Sequence, residues 1–442
     1  MKKYISLIMS IIVLFLLMTT AVYSVQDINL QGETAVLIDG TTGEILFEKN
    51  MHQEMYPAST TKIMTAILTL ENCNLDQTVV IDSETPFTEG SRIYLLEDEK
   101  VTVEQLLNAL LIESANDSAV ALAKHISGSV EEFSDLMNKK AKELGALNTH
   151  FNNPNGLPDE EHYTTAYDLA MIAKYAMKNE KFREIINTVN YHMPATNKQE
   201  DRYFKITNKL LWDNRKIFSY NGEYVAPKYE YTTGIKTGYT IAAGYCLVAS
   251  AKKDGREVIS VVLKSDPNNV YLDSRILLDH GLNDYKNIVL EKQGSVVGNI
   301  QIQGGKEKSV DAAVSHDVIK TVPVDFDESI ITRDINLPKK MVAPVEKDDK
   351  LGILSIWYEG ELLEEAQLSA STNIEKSLAA TVVLKTGGVF KSLKFVFLIL
   401  FGLLVGYIGL IIMSNKKRLK RRRLRREKYE IDRNYFNRNL LK

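Results

Sequence analysis

Nineteen consecutive residues near the C-terminal end, Phe395 to Met413, include no charged side chain. As a helix this run reaches about 28 Å, close to the roughly 30 Å hydrocarbon core of a bilayer. Lys416-Lys417-Arg418-Leu419-Lys420-Arg421-Arg422-Arg423 follows at once. Positive charge beside a span stays on the cytoplasmic side. A chain with this pair of features is expected to be divided by a membrane, with a transmembrane helix over 395–413. Residues 414–442 then form a basic cytoplasmic tail, and everything from Val25 to about Lys394 lies on the extracytoplasmic side of the cell membrane. At the other end Lys2 and Lys3 precede the apolar run Ile5–Met18, and Val22 and Ser24 are small enough for a cleavage signal. Residues 1–24 therefore read as a secretory signal peptide.

The net charge of −3 hides a segregation: residues 414–442 hold 13 Lys/Arg against 3 Asp/Glu. The external part carries 39 Lys/Arg against 54 Asp/Glu and is strongly acidic. Such a body does not suit a nucleic acid, and none is expected as a partner. A basic tail beside a span is explained by anionic membrane lipids. Cys73 and Cys246 are the only cysteines; two make no disulfide framework, and no pairing is assigned.

About 370 external residues exceed one typical domain. From Val25 to Leu282 helix and strand signals mix, so the first domain reads as α/β (α+β) over 25–282. Ala35–Asp39 and Glu44–Phe47 flank Gly40-Thr41-Thr42-Gly43 as a hairpin. Pro57-Ala58 opens a helix expected from Ser59 to about Leu70. Thr102 with Gln105 and Ser129 with Glu132 have capping-box spacing. Gly244–Lys252 and Arg256–Leu263 are apolar runs joined through Asp254-Gly255, a sharp hairpin signal. Beyond Asn283 short β-type runs dominate (Ser295–Ile302, Val310–Val314, Val318–Pro323, Leu351–Tyr358), which reads as a small β-rich domain over 283–368. Residues 369–394 link it to the membrane.

Three short motifs occur in one order: Ser59-Thr60-Thr61-Lys62, Ser114-Ala115-Asn116 and Lys236-Thr237-Gly238. Singly each is weak. By average residue usage S-x-x-K should arise about twice by chance in this length, S-x-N about once, and K-T-G in about one chain in ten. Ser414-Asn415-Lys416-Lys417 repeats the first pattern, Ser219-Tyr220-Asn221 and Ser371-Thr372-Asn373 the second, and Lys385-Thr386-Gly387 the third. Context separates them, because the repeats fall at the membrane edge or have no site around them.

Ser59 and Lys62, three apart on a helix, share a face. A serine needs a base within hydrogen-bond reach, and Lys62 can serve only as a neutral amine. Burial and a second cation, Lys236, would both lower its pKa. Ser114-Ala115-Asn116 sits on a tight connection between helices. There Ser114 could relay a proton and Asn116 could hold a substrate amide; helix capping is the plainer alternative. Lys236-Thr237-Gly238 precedes the Asp254-Gly255 hairpin and is placed on an edge strand. Lys236 and Thr237 offer a charge and a hydroxyl to a carboxylate, and Gly238 lets a ligand approach the backbone. The Tyr239 and Ser59 N–H groups could form an oxyanion hole. The seven histidines (His52, His125, His150, His162, His192, His280, His316) show no H-E-x-x-H spacing. No metal or cofactor is expected, and His162 reads as structural.

The order and spacing of the three motifs resemble the penicillin-binding-protein and serine β-lactamase superfamily. Within it the chain is similar to the low-molecular-mass D-alanyl-D-alanine carboxypeptidases. Phe151-Asn152-Asn153-Pro154-Asn155-Gly156-Leu157 resembles their F-x-N-P-H/N-G-L stretch, and His162 to Ala170 the segment after it. The settings Pro57-Ala58-Ser59 and Gly234 to Thr240 also fit, as does a β domain ahead of a C-terminal membrane attachment. The resemblance implies a penicillin-binding-protein/β-lactamase-like domain with an antiparallel sheet and helices. It implies peptidoglycan stem peptides ending in D-Ala-D-Ala as substrate, attack by Ser59 with release of terminal D-alanine, and β-lactams as covalent inhibitors. The family often carries a further basic residue after the strand that follows K-T-G; here only Lys264 is available. A β-lactamase is a second enzymatic reading, although no equivalent of the class A glutamate stands out near Asn152–Glu161. A catalytically silent, membrane-tethered sensor of muropeptides or β-lactams is a third.

Overall fold

The alternation of apolar residues along three strands builds two cores, one on each face of a single sheet. The computed structural model describes residues 28–220 and 222–439; the signal peptide expected over 1–24 lies outside them. The strands are β1 (Thr34–Asp39), β2 (Ile45–Lys49), β3 (Thr232–Thr240), β4 (Gly244–Lys253) and β5 (Arg256–Ser265), in the order β2-β1-β5-β4-β3. Every neighbouring pair is antiparallel. Val36, Ile38, Val248, Ile259 and Val261 face one core, while Leu37, Leu247, Ala249, Val258 and Val262 face the other.

The first core is filled by helices α1 (Lys62–Asn72), α2 (Val103–Asn108), α3 (Asn116–Ser127), α4 (Val130–Glu143) and α5 (Ala166–Ala176). The second is covered by α6 (Asn269–Asn283), through Val270, Leu277 and Leu278. Both expected hairpins are present. Lys253 pairs with Arg256 across a two-residue turn, with Asp254 at φ 50° and Gly255 at φ 84°. That is the conformation Asp-Gly adopts most readily between twisted strands. Thr102 and Gln105 cap α2 reciprocally, and Ser129 Oγ accepts from the Glu132 N–H at 3.1 Å. The strand β3 that carries Lys236-Thr237-Gly238 is an edge of the sheet, as its sequence indicates.

The chain divides into two compact units, the first ending at Val289 and also taking in Ile319–Phe326, the second comprising Leu290–Val318 and the chain from Asp327 onward. Val318–Pro323 pairs with Tyr285–Glu291 in a separate two-stranded sheet. In the second unit Thr332–Asn336, Lys350–Tyr358, Glu361–Ala370, Ser309–Val314, Val296–Gln303 and Lys340–Val342 form one six-stranded sheet in that order. Its pairs are antiparallel except the last. A single helix, α7 (Leu378–Asn439), follows. Among the described residues one helical stretch, Phe395–Glu430, is long and apolar enough to cross a membrane.

Candidate active site

The sequence places Ser59 at the start of a helix; the structure corrects this. Ser59 lies in a 3-10 turn, Ala58–Thr61, and α1 begins at Lys62. Two constraints produce the turn. Ala58 is left-handed, with φ 49°, and Thr60 Oγ1 donates to the Pro57 carbonyl at 2.6 Å. The backbone at Gly156 presses on the same turn, and a Cβ there would fall 1.8 Å from the Ala58 oxygen. Gly156, at φ 86°, is therefore required both by its conformation and by this approach.

Lys62 is wholly buried. Its Nζ lies 2.9 Å from Ser59 Oγ, 2.6 Å from Asn116 Oδ1 and 2.7 Å from the Asn155 carbonyl oxygen. Burial, and then the charge of Lys236, push its pKa well below the usual lysine value, against a smaller pull from Asp117. A neutral amine has two N–H bonds and one lone pair. Asn116 and Asn155 can each accept one N–H, which aims the lone pair at the Ser59 hydroxyl. This arrangement suits a general base.

Ser114 closes a π-turn, Ala109–Glu113, and is itself left-handed at φ 65°. The extra residue of such a turn re-aims the chain, and Ser114 Oγ accepts from Lys236 Nζ at 2.9 Å. Lys236 is buried on β3 and also donates to the Thr237 carbonyl at 3.0 Å. Burial brings its pKa down to about 7, while the nearby Glu113 carboxylate pulls the other way. Thus Ser59, Lys62, Ser114 and Lys236, from three segments remote from each other in sequence, form two hydrogen-bonded serine–lysine pairs in the same unit, with Asn116 joined to the first.

Two expectations change. Asn116, read as a holder of a substrate amide, has its Oδ1 on Lys62 and its Nδ2 on the Glu89 carbonyl at 2.7 Å. Its position at the first turn of α3 directs it at the lysine. Gly238, read as a gap for a ligand, is filled by the protein, since a Cβ there would stand 3.0 Å from Ser59 N and 3.1 Å from the Pro57 oxygen. The glycine lets β3 run directly against the serine turn. This brings the next residue, Tyr239, beside Ser59; its half-exposed ring packs on Tyr245 with centroids 4.4 Å apart. Lys264 is paired with Glu33 at 2.7 Å.

Sequence reasoning missed several contributors. Asn155 acts through a main-chain carbonyl, which no side-chain pattern announces. Asp117 follows Asn116 and accepts from the Ile93, Leu95 and Ser118 N–H groups, fixing the loop beside the site. Thr207 Oγ1 lies 2.6 Å from Thr237 Oγ1. His162 is structural, as expected. Its Nδ1 accepts from the Asn152 N–H at 3.0 Å and its Nε2 meets Thr61 Oγ1 at 2.9 Å. Burial lowers its pKa to about 4, so it is neutral.

Residues 20–267 match the D-alanyl-D-alanine carboxypeptidase family, and residues 285–376 match the C-terminal domain of penicillin-binding protein 5. The chain belongs to the D-alanyl-D-alanine carboxypeptidase family. The D-alanyl-D-alanine carboxypeptidase DacF of Bacillus subtilis is 35% identical over 81% of this chain and 90% of its own length. The crystal structure of penicillin binding protein 5 from Haemophilus influenzae is similar with a TM-score of 0.67 and 28% identity, covering 79% of this chain and 98% of that one. PBP3 of Streptococcus pneumoniae, described as a peptidoglycan synthesis regulatory factor, is similar with a TM-score of 0.62 and 26% identity, covering 78% of this chain and 100% of that one. This member of the carboxypeptidase family is a hydrolase and a penicillin-binding protein with a β-rich C-terminal domain and an apolar helix fit to anchor it in a membrane.

Proposed function

We propose that the chain removes terminal D-alanine from peptidoglycan stem peptides through an ester on Ser59. The observation that carries this reading is the buried Lys62 amine, 2.9 Å from Ser59 Oγ with its other two contacts on acceptors. Lys62 takes the hydroxyl proton as Ser59 Oγ attacks the penultimate carbonyl carbon. The oxyanion forms against the Ser59 and Tyr239 N–H groups. The peptide C–N bond then breaks. The leaving amine takes a proton from Ser114, and the proton held on Lys62 replaces it, so that Lys62 is neutral again and Lys236 keeps its charge. Water next attacks the ester, Lys62 accepts its proton, and Ser59 leaves with that proton returned. Lys236 and Thr237 hold the terminal carboxylate throughout, Gly238 keeps β3 against the serine turn, and Asn116 orients Lys62. A β-lactam enters the first half of the same cycle and leaves Ser59 acylated.

In this reading α7 spans the cell membrane, its basic end contacts anionic lipid headgroups, and the site works on the extracytoplasmic side. Apolar residues Phe395 to Met413 followed by Lys416 to Arg426 support that orientation. Full-length protein in detergent, given a pentapeptide, should release one D-alanine per peptide and take up labelled penicillin. Ser59→Ala should do neither. Continued D-alanine release by that variant would overturn the assignment.

A further inference from the structure

Thr207 belongs to a short segment between the strand Arg202–Lys205 and the 3-10 turn Lys209–Leu211. It is held on three sides. Its N–H donates to the Ile112 carbonyl at 3.2 Å, inside the π-turn that ends at Ser114. Its carbonyl accepts from the Tyr271 hydroxyl at 3.5 Å. Its own hydroxyl lies 2.6 Å from that of Thr237 on β3. The residues on either side are fixed as well. The Ile206 carbonyl accepts from Trp212 Nε1 at 2.9 Å, and Asn208 Oδ1 caps the following turn through the Leu210 N–H. Thr207 thus ties the turn carrying Ser114 to the strand carrying Lys236 and Thr237.

We propose that Thr207 is a positioning residue for the substrate carboxylate: its hydroxyl fixes the Thr237 hydroxyl as a donor to that carboxylate. This rests on the reading above, in which Lys236 and Thr237 hold the C-terminal carboxylate. A hydroxyl has one proton to give and can accept two. Between the two threonines alone, either can be the donor of the shared bond. An arriving carboxylate can only accept, so Thr237 must turn its single proton toward it. The bond between the threonines then survives only if Thr207 donates. A donor on Thr237 Oγ1 fixes its rotor and polarises its O–H, strengthening the bond to the charged ligand. Since Lys264 is paired with Glu33, this threonine pair and Lys236 share the work of gripping the carboxylate.

The test uses the full-length protein in detergent micelles and two peptides, one ending in D-Ala-D-Ala with a free carboxylate and one with that terminus amidated. The ratio of their kcat/KM values measures carboxylate recognition. Thr207→Val should lower kcat/KM for the acid about tenfold, the size expected for weakening one hydrogen bond to a charged group. The loss should fall mainly on KM, with the amide little affected. Thr207→Ser should restore the ratio. Thr237→Val should also reduce it, and Thr207→Val added to that variant should reduce it no further. An equal loss on both peptides, an unchanged ratio, or failure of Thr207→Ser to rescue overturns the proposal. If Thr237→Val itself keeps full discrimination, the carboxylate site assigned to that residue is wrong, which separates failure of the reading from failure of the inference alone.

Discussion

Two of the chain's matches to the S-x-x-K pattern have opposite outcomes. Ser59 and Lys62 sit where a 3-10 turn passes into α1, and Ser414 and Lys417 sit within α7. The spacing places both side chains of each pair on one helical face. Lys62 is fully buried with three hydrogen-bond partners around its nitrogen, whereas Lys417 is exposed. The K-T-G pattern divides in the same way: Lys236-Thr237-Gly238 is on an edge strand, and Lys385-Thr386-Gly387 is inside a helix. Spacing brings two groups side by side, but it cannot remove water. A lysine becomes a base at neutral pH only when burial and a neighbouring cation make its charged form costly. That is a property of the surroundings, not of the motif.

The largest effect expected from this contrast is at the nucleophiles. Ser59→Ala should abolish penicillin labelling and D-alanine release, while Ser414→Ala leaves both at the wild-type level; a labelled Ser59→Ala protein would break the comparison. Next come the bases. Lys62→Gln should slow penicillin acylation by roughly 10²–10⁴-fold, the usual contribution of a positioned general base, and Lys417→Gln should leave the acylation rate unchanged.

The glycines follow. Gly238→Ala puts a Cβ about where Ser59 N already makes a 3.0 Å approach. The strand or the serine turn must shift by a few tenths of an ångström, and acylation should slow about tenfold. Gly387→Ala should leave acylation as it is. The smallest effect concerns Lys236, whose pKa lies at about 7 and is drawn upward by Glu113. As pH rises through that value the amine loses its charge, so KM for a carboxylate-bearing peptide should climb. Glu113→Gln removes the upward pull, and the rise in KM should begin at a pH lower by about half a unit. A shift to higher pH would contradict the role given to Glu113.

Much of this site was legible because its motifs sit in readable surroundings. The edge position of β3 followed from the Asp254-Gly255 hairpin, and the capping of α2 from Thr102 and Gln105. The errors share one cause, which is contact between segments remote in sequence. Ser59 precedes the α-helix because Gly156 presses on its turn. Gly238 is filled by the Ser59 backbone and not left open. Asn116 is committed to a lysine 54 residues away. Asn155, inside a readable stretch, contributes its main-chain carbonyl, and Thr207 contributes a hydroxyl that no motif marked.

Local chemistry and periodicity in the sequence were enough to specify the kinds of group available, their order, the hairpins, and an apolar run of membrane length. These depend on residues within a few positions of each other. The neutral amine at Lys62, the pairing of Ser114 with Lys236 and the tie between Thr207 and Thr237 were decided only by folding. Each requires desolvation or a hydrogen bond across tens to more than a hundred residues, and those arise when the sheet and helices close around the groups.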